Sequence, residues 1–413
     1  MSTTILIIGL LVFFAHFLSL QFIKTSIPDV LVLMLIGIVV GPVLGIAVPQ
    51  DFGKIGSLIA TIALVVILFE GGTSLNLRVL GTTLGTTGIL TFSCFALTAI
   101  IVTMIGMFAL NLEMLPAMML GFTLSGTTSA VVIPMAKALN LPDKPATVLI
   151  LESALTDVLC IVAVFALLQI HLQGGVMPGR LVGSVLASLV FAAAIGAIGG
   201  IGWLLVLGKI RDFPNTISST LAYVFIVYGI TEIFGFSGAI AALALGVTLT
   251  NFEKFGLHHI PSIDENIVPL NEIDLTFYRE AVFLLKTYFF VYLGISIHFG
   301  KLQLAFAAIS MVLMVYAMRL VITRLVLRNA SFSLRDAAVT SMMAPKGLAA
   351  AVLASLPMEY GVAGGEIIRD VTFMVVLSSI SLTALLVMAY PATTTQKLYA
   401  GALGKTRNDE TSQ

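Results

Sequence analysis

The sequence predicts an all-α protein that spans a lipid bilayer about thirteen times, and two observations lead to that prediction. Of its 413 residues, 59% are hydrophobic and only 10% are charged, whereas charged residues make up roughly a quarter of an ordinary soluble domain. Apolar runs of about 17–25 residues also recur along the chain, each long enough to cross the roughly 30 Å hydrocarbon core as a helix. These runs are continuous and do not alternate with polar residues, which argues against a transmembrane β-barrel.

The spans are bounded by charged residues, glycine or proline. They cover residues 4–22, 28–48, 55–71, 84–110, 115–138, 146–170, 180–208, 216–233, 236–251, 281–298, 304–327, 335–356 and 365–390. The first is expected to be a retained helix, because no basic residue precedes it and no small-residue cleavage pattern follows it.

The positions of the basic residues predict the orientation, since cytoplasmic loops carry an excess of Lys and Arg. With the N-terminus outside and the C-terminus in the cytoplasm, four basic residues lie outside and fourteen lie inside. The inner set is Lys24, Arg78, Lys137, Lys144, Lys209, Arg211, Lys254, Arg279, Arg324, Arg328, Arg335, Lys397, Lys405 and Arg407. This arrangement suits a protein of the plasma (inner) membrane, and the zero net charge gives no reason to expect nucleic-acid binding.

A weak internal repeat relates the first six spans to the last six. "LMLIGIVVGP" (33–42) resembles "ALALGVTLTN" (242–251), and "LFEGGTSLNL" (68–77) resembles "VYLGISIHFG" (291–300). The two copies are offset by seven spans. Because seven is an odd number, corresponding spans cross the membrane in opposite directions, and the copies lie upside down relative to one another. The sequence therefore predicts two inverted six-helix repeats, about 4–170 and 216–391, joined by a linker helix at about 180–208, an organisation typical of secondary transporters.

Two spans at matching places in the repeats contain interruptions. Span 115–138 has the polar cluster "SGTTS" at 125–129, and span 335–356 has "PKG" at 345–347. Proline removes a backbone donor and glycine lowers the cost of unusual dihedral angles, so both helices are expected to break there. The carbonyls and half-helix ends that a break exposes can coordinate a cation. The alternative is that these small residues only allow close helix packing.

Two carboxylates lie in the apolar stretch "LESALTDVLCIV" (151–162). A carboxylate at the bilayer centre costs at least about 2.5–3.5 kcal/mol, so each acid has to be paired, hydrated or protonated. We assign Glu152 to an ion pair with Lys346, a lysine at comparable depth. This leaves Asp157 without a cation of its own, on the helix face of Ser153. An unpaired carboxylate of this kind is expected to alternate between a proton and a metal cation, although either acid could instead be a satisfied structural residue.

Other buried residues suggest weaker interpretations. Glu70 is expected to be an interfacial or gating residue, while Lys286 and Arg319 could snorkel, pair with carbonyls or tune transport. The two cysteines, Cys94 and Cys160, fit as packing residues. None of the five histidines has ligand spacing, so the sequence predicts no resident metal, no cofactor and no enzyme.

Taken together and in order, these motifs resemble the monovalent cation:proton antiporter superfamily, particularly the NhaP-type sodium/proton exchangers. "ESALTD" (152–157) resembles the family's E-S-x-x-N-D motif, and "LSGTTSAVV" (124–132) resembles its S-P-T-D-P-V break. "APKGLAAAV" (344–352) resembles its R-G segment. "LFEGG" (68–72) and "FFVYLGISI" (289–297) also match in place, so the similarity covers essentially the whole chain.

The resemblance implies a thirteen-helix NhaA/NhaP-like antiporter fold that forms a homodimer and contributes to pH homeostasis. It implies that two broken helices cross in a core of helices at about 84–170 and 304–391, with dimerisation or scaffold helices at about 4–71 and 180–298. It makes Asp157 the transport carboxylate, with Ser153, Thr156, Thr127 and Thr128 as the other residues of the cation and proton site, and it pairs Glu152 with Lys346. An elevator-like shift of the core would carry this site across the membrane.

Three departures from the family pattern bear on the transported ion. Thr156 stands in place of Asn or a second Asp, Thr128 replaces the Asp of the break, and Lys346 replaces Arg. With one ionisable residue left at the ion site, electroneutral one-for-one exchange of Na⁺ or K⁺, or of Li⁺, for H⁺ is the simplest expectation. The tail after 391 is expected to carry no nucleotide-binding regulatory domain.

Two other classes remain open from the sequence alone. A sodium-coupled symporter of an organic anion would use a similar broken-helix fold, with Lys346 free in a basic substrate pocket. A channel-like or sensory membrane protein would show no coupled transport.

Overall fold

A computed structural model describes residues 9–10, 12–17, 28–49, 53–74, 77–173, 178–210, 216–256, 269–298, 302–327 and 332–403, and this part of the chain is helical without strands. The helices in chain order are α1 (Asp29–Ile38), α2 (Gly53–Ser74), α3 (Leu77–Leu110), α4 (Met114–Thr123), α5 (Ser129–Ala138), α6 (Asp143–Gln173), α7 (Pro178–Ile210), α8 (Thr216–Ile233), α9 (Gly238–Thr250), α10 (Glu272–Ile295), α11 (Leu302–Leu327), α12 (Leu334–Met342), α13 (Leu348–Glu359), α14 (Gly365–Ala389) and α15 (Thr393–Leu403). Helix α1 continues as a π-helical turn at Val39–Val43. Residues 9–10 and 12–17 are also helical.

The all-α polytopic prediction is confirmed, since every predicted span from 28–48 onward contains at least one helix. Most of the first span, 4–22, lies outside the described residues. Within the described residues, five helices are each long and apolar enough to cross a bilayer as a single continuous helix. They include α11, α14 and most of α3 and α6.

The largest difference from the predicted bounds is at α10, which begins at Glu272 and not near residue 281. Charged residues ended the predicted span, but here they belong to the helix. Asn271 and Asp274 cap its first turn reciprocally: the Asn271 N–H donates to Asp274 Oδ2 at 2.9 Å, and the Asp274 N–H donates to Asn271 Oδ1 at 2.8 Å. Side chains that bind the first free backbone groups of a helix let it begin in polar sequence.

The chain divides into two compact units. The first comprises Met1–Gly56, Thr83–Leu172 and Thr287–Gln413, and the second comprises Ser57–Thr82 and Gln173–Lys286. Both interrupted spans and the "ESALTD" segment belong to the first unit. The division into core and scaffold helices, and the roles given to them, stay predictions.

The second unit is built around α9, which packs closely on α7. A Cβ added to Gly196 of α7 would lie 2.2 Å from the Ala241 carbonyl oxygen, so only glycine allows the two backbones to approach this closely. Close approach at small residues is how helices associate in lipid, where a hydrophobic driving force is absent. Trp203 is buried in the same core, where its indole N–H donates to Thr220 Oγ1 at 3.1 Å.

In the structure, each repeated segment packs on a segment that belongs to the other copy of the repeat. Gly37, in the first copy, packs on the second-copy segment 291–300: a Cβ added to Gly37 would lie 2.2 Å from the Val291 carbonyl oxygen. Gly246, in the second copy, packs on the first-copy segment 68–77: a Cβ there would lie 2.4 Å from the Phe69 carbonyl oxygen. In both contacts, a segment of one predicted copy packs on a segment of the other copy.

Candidate functional site

The two interrupted spans are both broken, as predicted, and their non-helical segments meet. The first break covers 124–128 between α4 and α5, and the second covers 343–347 between α12 and α13. The Thr128 N–H donates to the Pro345 carbonyl oxygen at 2.9 Å, so one unwound backbone satisfies the other. This hydrogen bond fixes the place where the broken helices cross.

Local chemistry explains the second break. Pro345 has no N–H to give to a helical bond, and the next N–H, that of Lys346, donates to Ser379 Oγ of α14 at 2.9 Å. Residue 347 has to be glycine because there is no room for a side chain: a Cβ there would lie 2.4 Å from Thr128 Oγ1 and 2.5 Å from Thr128 Cβ. The unwound segment is therefore held on one side by α14 and on the other by the first break.

The first break is tied to α6 by hydroxyl groups. The Thr127 N–H donates to Thr156 Oγ1 at 3.1 Å, and Ser153 Oγ donates to the Thr127 carbonyl oxygen at 2.8 Å. Thr156 Oγ1 also lies 3.1 Å from the Ser153 carbonyl oxygen, and Ser129 Oγ lies 3.0 Å from Ser153 Oγ. Consecutive residues of the break thus face opposite partners: Thr127 faces α6, and Thr128 faces the second break.

Asp157 lies on α6 beside this break and is 9% exposed. A Cβ added to Gly126 would lie 3.6 Å from Asp157 Oδ1 and 3.0 Å from Cys160 Sγ, so the absence of a side chain at Gly126 brings the unwound backbone close to the carboxylate. Within the part of the chain that the structure describes, the Asp157 carboxylate makes no hydrogen bond and no ion pair. Asp157 is therefore a buried acid that neither a hydrogen bond nor an ion pair holds within the described residues.

The partner of Glu152 corrects the prediction from the sequence. Glu152 is paired with Arg319 of α11, not with Lys346. Arg319 Nη2 donates to Glu152 Oε2 at 2.7 Å, and Nη1 donates to Oε1. The planar guanidinium matches both carboxylate oxygens at once, which a lysine ammonium cannot do. Arg319 Nε also donates to the Thr340 carbonyl oxygen at 3.0 Å, so this arginine joins α6 to α12.

Lys346 is left without that partner. It is 3% exposed, and no ion pair involves it among the described residues. Its side chain lines a cavity of about 10 Å³ together with Leu124, Tyr316 and Ser379. The charge of Lys346 acts at longer range on the carboxylates of both Asp157 and Glu152.

Three residues near the crossing have supporting contacts that the sequence reading did not anticipate. Tyr316 OH donates to the Ser379 carbonyl oxygen at 2.8 Å, and Ser379 in turn holds the second break. Ser129 extends the hydroxyl chain to α5. Tyr316 could have been found from its position three residues before Arg319, on the same helix face. Ser379 gave no signal, because a serine in an apolar helix more often bonds its own backbone.

The remaining candidate residues, Glu70 and Lys286, do not belong to the helices that form this cluster. Glu70 on α2 and Lys286 on α10 belong to the second unit, so their gating and tuning roles stay predictions. Lys286 Nζ lies 5.9 Å from the centre of the Phe283 ring. Cys94 and Cys160 are buried free thiols, which fits packing roles.

Crossing broken helices beside a buried acid define a class of protein: membrane transporters whose ion sites lie at interrupted helices. The sequence profile of the transmembrane sodium/hydrogen exchangers matches residues 8–388. The chain therefore belongs to the sodium/hydrogen exchanger family and is an integral membrane protein.

Relatives and solved structures agree with this assignment. The chain is 25% identical to the Na(+)/H(+) antiporter NhaS2 of Synechocystis over 63% of its length and 47% of the relative. It is 24% identical to the K(+)/H(+) antiporter NhaP2 of Shewanella sp. strain MR-4 over 86% of its length and 61% of the relative. The chain thus spans about half to three-fifths of these relatives.

The fold is similar to the sodium proton antiporter MjNhaP1 from Methanocaldococcus jannaschii. One structure matches with a TM-score of 0.76 at 20% identity, over 96% of this chain and 98% of the other. A second, at pH 8, matches with a TM-score of 0.71 at 22% identity, over 93% and 99% of the two chains. At this identity the likeness establishes the fold.

Proposed function

We propose that this protein exchanges a monovalent cation for H⁺ across the membrane. The observation that carries the proposal is Asp157, a buried carboxylate beside the first break that makes no hydrogen bond or ion pair within the described residues. Burying an unneutralised charge is costly, so the ionised acid needs either a proton or a metal cation. Two ligands that compete for one carboxylate are sufficient for antiport.

The oxygen atoms around Asp157 suit a dehydrated alkali cation. Ser153 Oγ, Thr156 Oγ1 and the Thr127 carbonyl oxygen belong to one hydrogen-bonded group beside Asp157 on α6. Carbonyls of unwound helices coordinate Na⁺ in other transporters built from broken helices. We infer that Asp157, Ser153 and Thr127 contact the cation directly and that Thr156 holds the break in place. Thr128 faces Gly347, so we propose that it acts at the crossing.

Charge balance supports an electroneutral one-for-one exchange. Glu152 is neutralised by Arg319 and is therefore not available for a second proton or cation. In the described part of the crossing, Asp157 is then the one carboxylate left to titrate. The cation itself is Na⁺ or K⁺ in this proposal, following the names of the two antiporter relatives, and Li⁺ is a further candidate.

The wider cycle follows from this assignment. We infer that the first unit, which holds both breaks, carries the bound ion across the membrane in an elevator-type movement. We also propose a homodimer in the plasma membrane, with the N-terminus outside and the C-terminus in the cytoplasm. Its physiological role would be control of internal pH and cation content.

The organic-anion symporter is the weaker alternative. It requires a basic substrate pocket at Lys346, and within the described residues Lys346 forms no ion pair with Glu152. The cavity that Lys346 lines is only about 10 Å³, however, which is room for one water molecule. An organic anion would need a site many times larger.

The proposal is tested in proteoliposomes that contain a trapped pH indicator. Addition of Na⁺, K⁺ or Li⁺, but not choline, should release protons from vesicles with the parent protein, and Asp157→Asn should abolish the response. Glu113→Gln is the matched control, because Glu113 is an exposed carboxylate at the start of α4 that makes no capping hydrogen bond in the described part of the chain. Exchange that survives Asp157→Asn, or a passive ion flux that ignores an opposing pH gradient, would contradict the proposal.

A further inference from the structure

The hydroxyl groups between α5 and α6 donate in directions that their partners dictate. A hydroxyl has one hydrogen and two lone pairs, whereas a carbonyl oxygen can only accept. Ser153 Oγ lies 2.8 Å from the Thr127 carbonyl oxygen, so Ser153 must donate its hydrogen there. Ser153 Oγ also lies 3.0 Å from Ser129 Oγ, and in that contact Ser129 must be the donor because Ser153 has no second hydrogen.

Thr156 is fixed in the same manner. Its hydroxyl lies 3.1 Å from the Ser153 carbonyl oxygen and must donate to it. It also accepts the Thr127 N–H at 3.1 Å. Ser153 and Thr156 have therefore each donated their one hydrogen, accepted one hydrogen bond and kept one lone pair.

This arrangement makes the hydroxyl groups beside Asp157 acceptors only. Neither Ser153 nor Thr156 has a hydrogen left for the Asp157 carboxylate, which agrees with the lack of a hydrogen bond to that carboxylate among the described residues. The lone pair that remains on Ser153 can bind a cation, whereas the ionised acid receives no hydrogen bond from either hydroxyl group. The site therefore favours occupation by a cation or a proton over an empty, charged state.

We propose that Ser129 is a positioning residue of the cation site and maintains this acceptor-only arrangement. Its hydroxyl occupies one lone pair of Ser153 and so restricts the rotation of the Ser153 hydroxyl. Without Ser129, that hydroxyl turns more freely, and its hydrogen can reach Asp157, one helical turn further along α6. The hydrogen would then stabilise the cation-free carboxylate and point toward the incoming cation.

The inference rests on the proposed function for its biological meaning, but binding can be measured without transport. A cation that binds only the folded protein raises its melting temperature in a concentration-dependent manner. In purified protein, Ser129→Ala should raise the Na⁺ or K⁺ concentration that gives half of this shift by about three- to tenfold, the usual effect of losing one such hydrogen bond. Ser129→Thr keeps the hydroxyl and should stay within about twofold of the parent.

Ser125→Ala is the matched control. Ser125 is a buried serine of the same break, but its hydroxyl donates to the Gly121 carbonyl oxygen of its own helix at 2.7 Å. Removal of this hydroxyl should leave unchanged the half-effect concentration, that is, the cation concentration that gives half of the shift in melting temperature. In proteoliposomes, Ser129→Ala should raise the half-saturating cation concentration in parallel while the maximal rate stays within about twofold.

The outcomes separate the two proposals. An unchanged half-effect concentration in Ser129→Ala, or equal changes in Ser129→Ala and Ser125→Ala, would overturn the positioning role whatever the transport assay gives. A maximal rate that falls while the half-saturating concentration stays constant would also overturn it. Cation binding by the parent without any proton exchange would overturn the proposed function and leave the comparison of Ser129 variants valid.

Discussion

Glu152 and Arg319 form a buried bidentate ion pair, with Arg319 Nη2 2.7 Å from Glu152 Oε2. Both side chains are almost fully buried, at 1% and 2% exposure. The third donor of the arginine, Nε, is bound to the Thr340 carbonyl oxygen just before the second break. One side chain of α11 therefore connects the helix that carries Asp157 to a half of the second broken helix.

Breaking this pair should destabilise the protein strongly. Removing one partner of a buried ion pair leaves an uncompensated charge and typically costs about 3–5 kcal/mol. We expect Glu152→Gln and Arg319→Gln each to lower the melting temperature markedly, and the double variant Glu152→Leu with Arg319→Met to recover a large part of the loss. The measurement is thermal unfolding of purified protein in detergent.

Lys346→Gln serves as the comparison for this prediction, because it removes a buried positive charge that no ion pair engages in the described residues. It should cost less stability than Arg319→Gln. If Lys346→Gln were the more damaging change and Arg319→Gln were harmless, the pairing seen in the structure would be refuted.

The partner of Glu152 also marks the limit of the sequence reading. Depth in the bilayer follows from position within an apolar run, and both Arg319 and Lys346 lie at about the depth of Glu152. The direction in which a helix presents each side chain depends on its rotation against its neighbours, which sets the choice between the two cations. That rotation is a property of packing and leaves no local mark in the sequence.

The breaks, in contrast, could be predicted, because their causes are local. Pro345 lacks an N–H, Gly347 lacks a side chain, and the "SGTTS" cluster is polar in an apolar span. The contact between the two breaks, from the Thr128 N–H to the Pro345 carbonyl, joins residues distant in sequence and needed the structure. The same applies to Ser129, whose role depends on meeting Ser153.

Adjacent glycines in "EGG" should respond very differently to alanine. A Cβ added to Gly72 would lie 2.3 Å from the Leu243 carbonyl oxygen of α9, while no described atom outside its own helix lies within 4 Å of one added to Gly71. We expect Gly72→Ala to cost about 1–3 kcal/mol through overpacking. Gly71→Ala should be neutral or slightly stabilising, because alanine favours helix by about 1 kcal/mol over glycine. Thermal unfolding of the two variants side by side measures the difference, and equal effects would contradict the close contact of α2 and α9.

The charge of Lys346 should oppose cation binding at Asp157. A positive group that acts on the carboxylate competes with any second cation, and in a partly desolvated site such an interaction is worth more than 1 kcal/mol. We expect Lys346→Gln to lower the half-saturating cation concentration by about fivefold or more, and Lys346→Arg to leave it close to the parent value. The half-saturating cation concentration can be measured both from cation-dependent thermal stabilisation and from proton exchange.

Lys397→Gln is the control for this change, since it removes an exposed lysine of α15 with the same loss of charge. It should have no effect on the half-saturating concentration. A rise of that concentration in Lys346→Gln would mean that Lys346 assists binding, and the electrostatic interpretation would be abandoned.

The crossing of the two breaks should depend on the fit of Thr128 against Gly347. A Cβ at residue 347 would lie 2.4–2.7 Å from three atoms of the Thr128 side chain, distances that real Cβ contacts do not reach. We therefore expect Gly347→Ala to push the breaks apart and lower the maximal exchange rate by about tenfold, which corresponds to about 1.4 kcal/mol. Adding Thr128→Gly removes the colliding atoms and keeps the N–H that binds Pro345, so the double variant should regain most of the rate. Thr128→Val keeps the volume of the side chain and removes its hydroxyl. If Thr128 acts by packing, this variant should have nearly the same half-saturating cation concentration as the parent. A double variant no better than Gly347→Ala, together with a weaker cation affinity in Thr128→Val, would instead make Thr128 a cation ligand, because the loss would then follow the hydroxyl oxygen and not the space that the side chain fills.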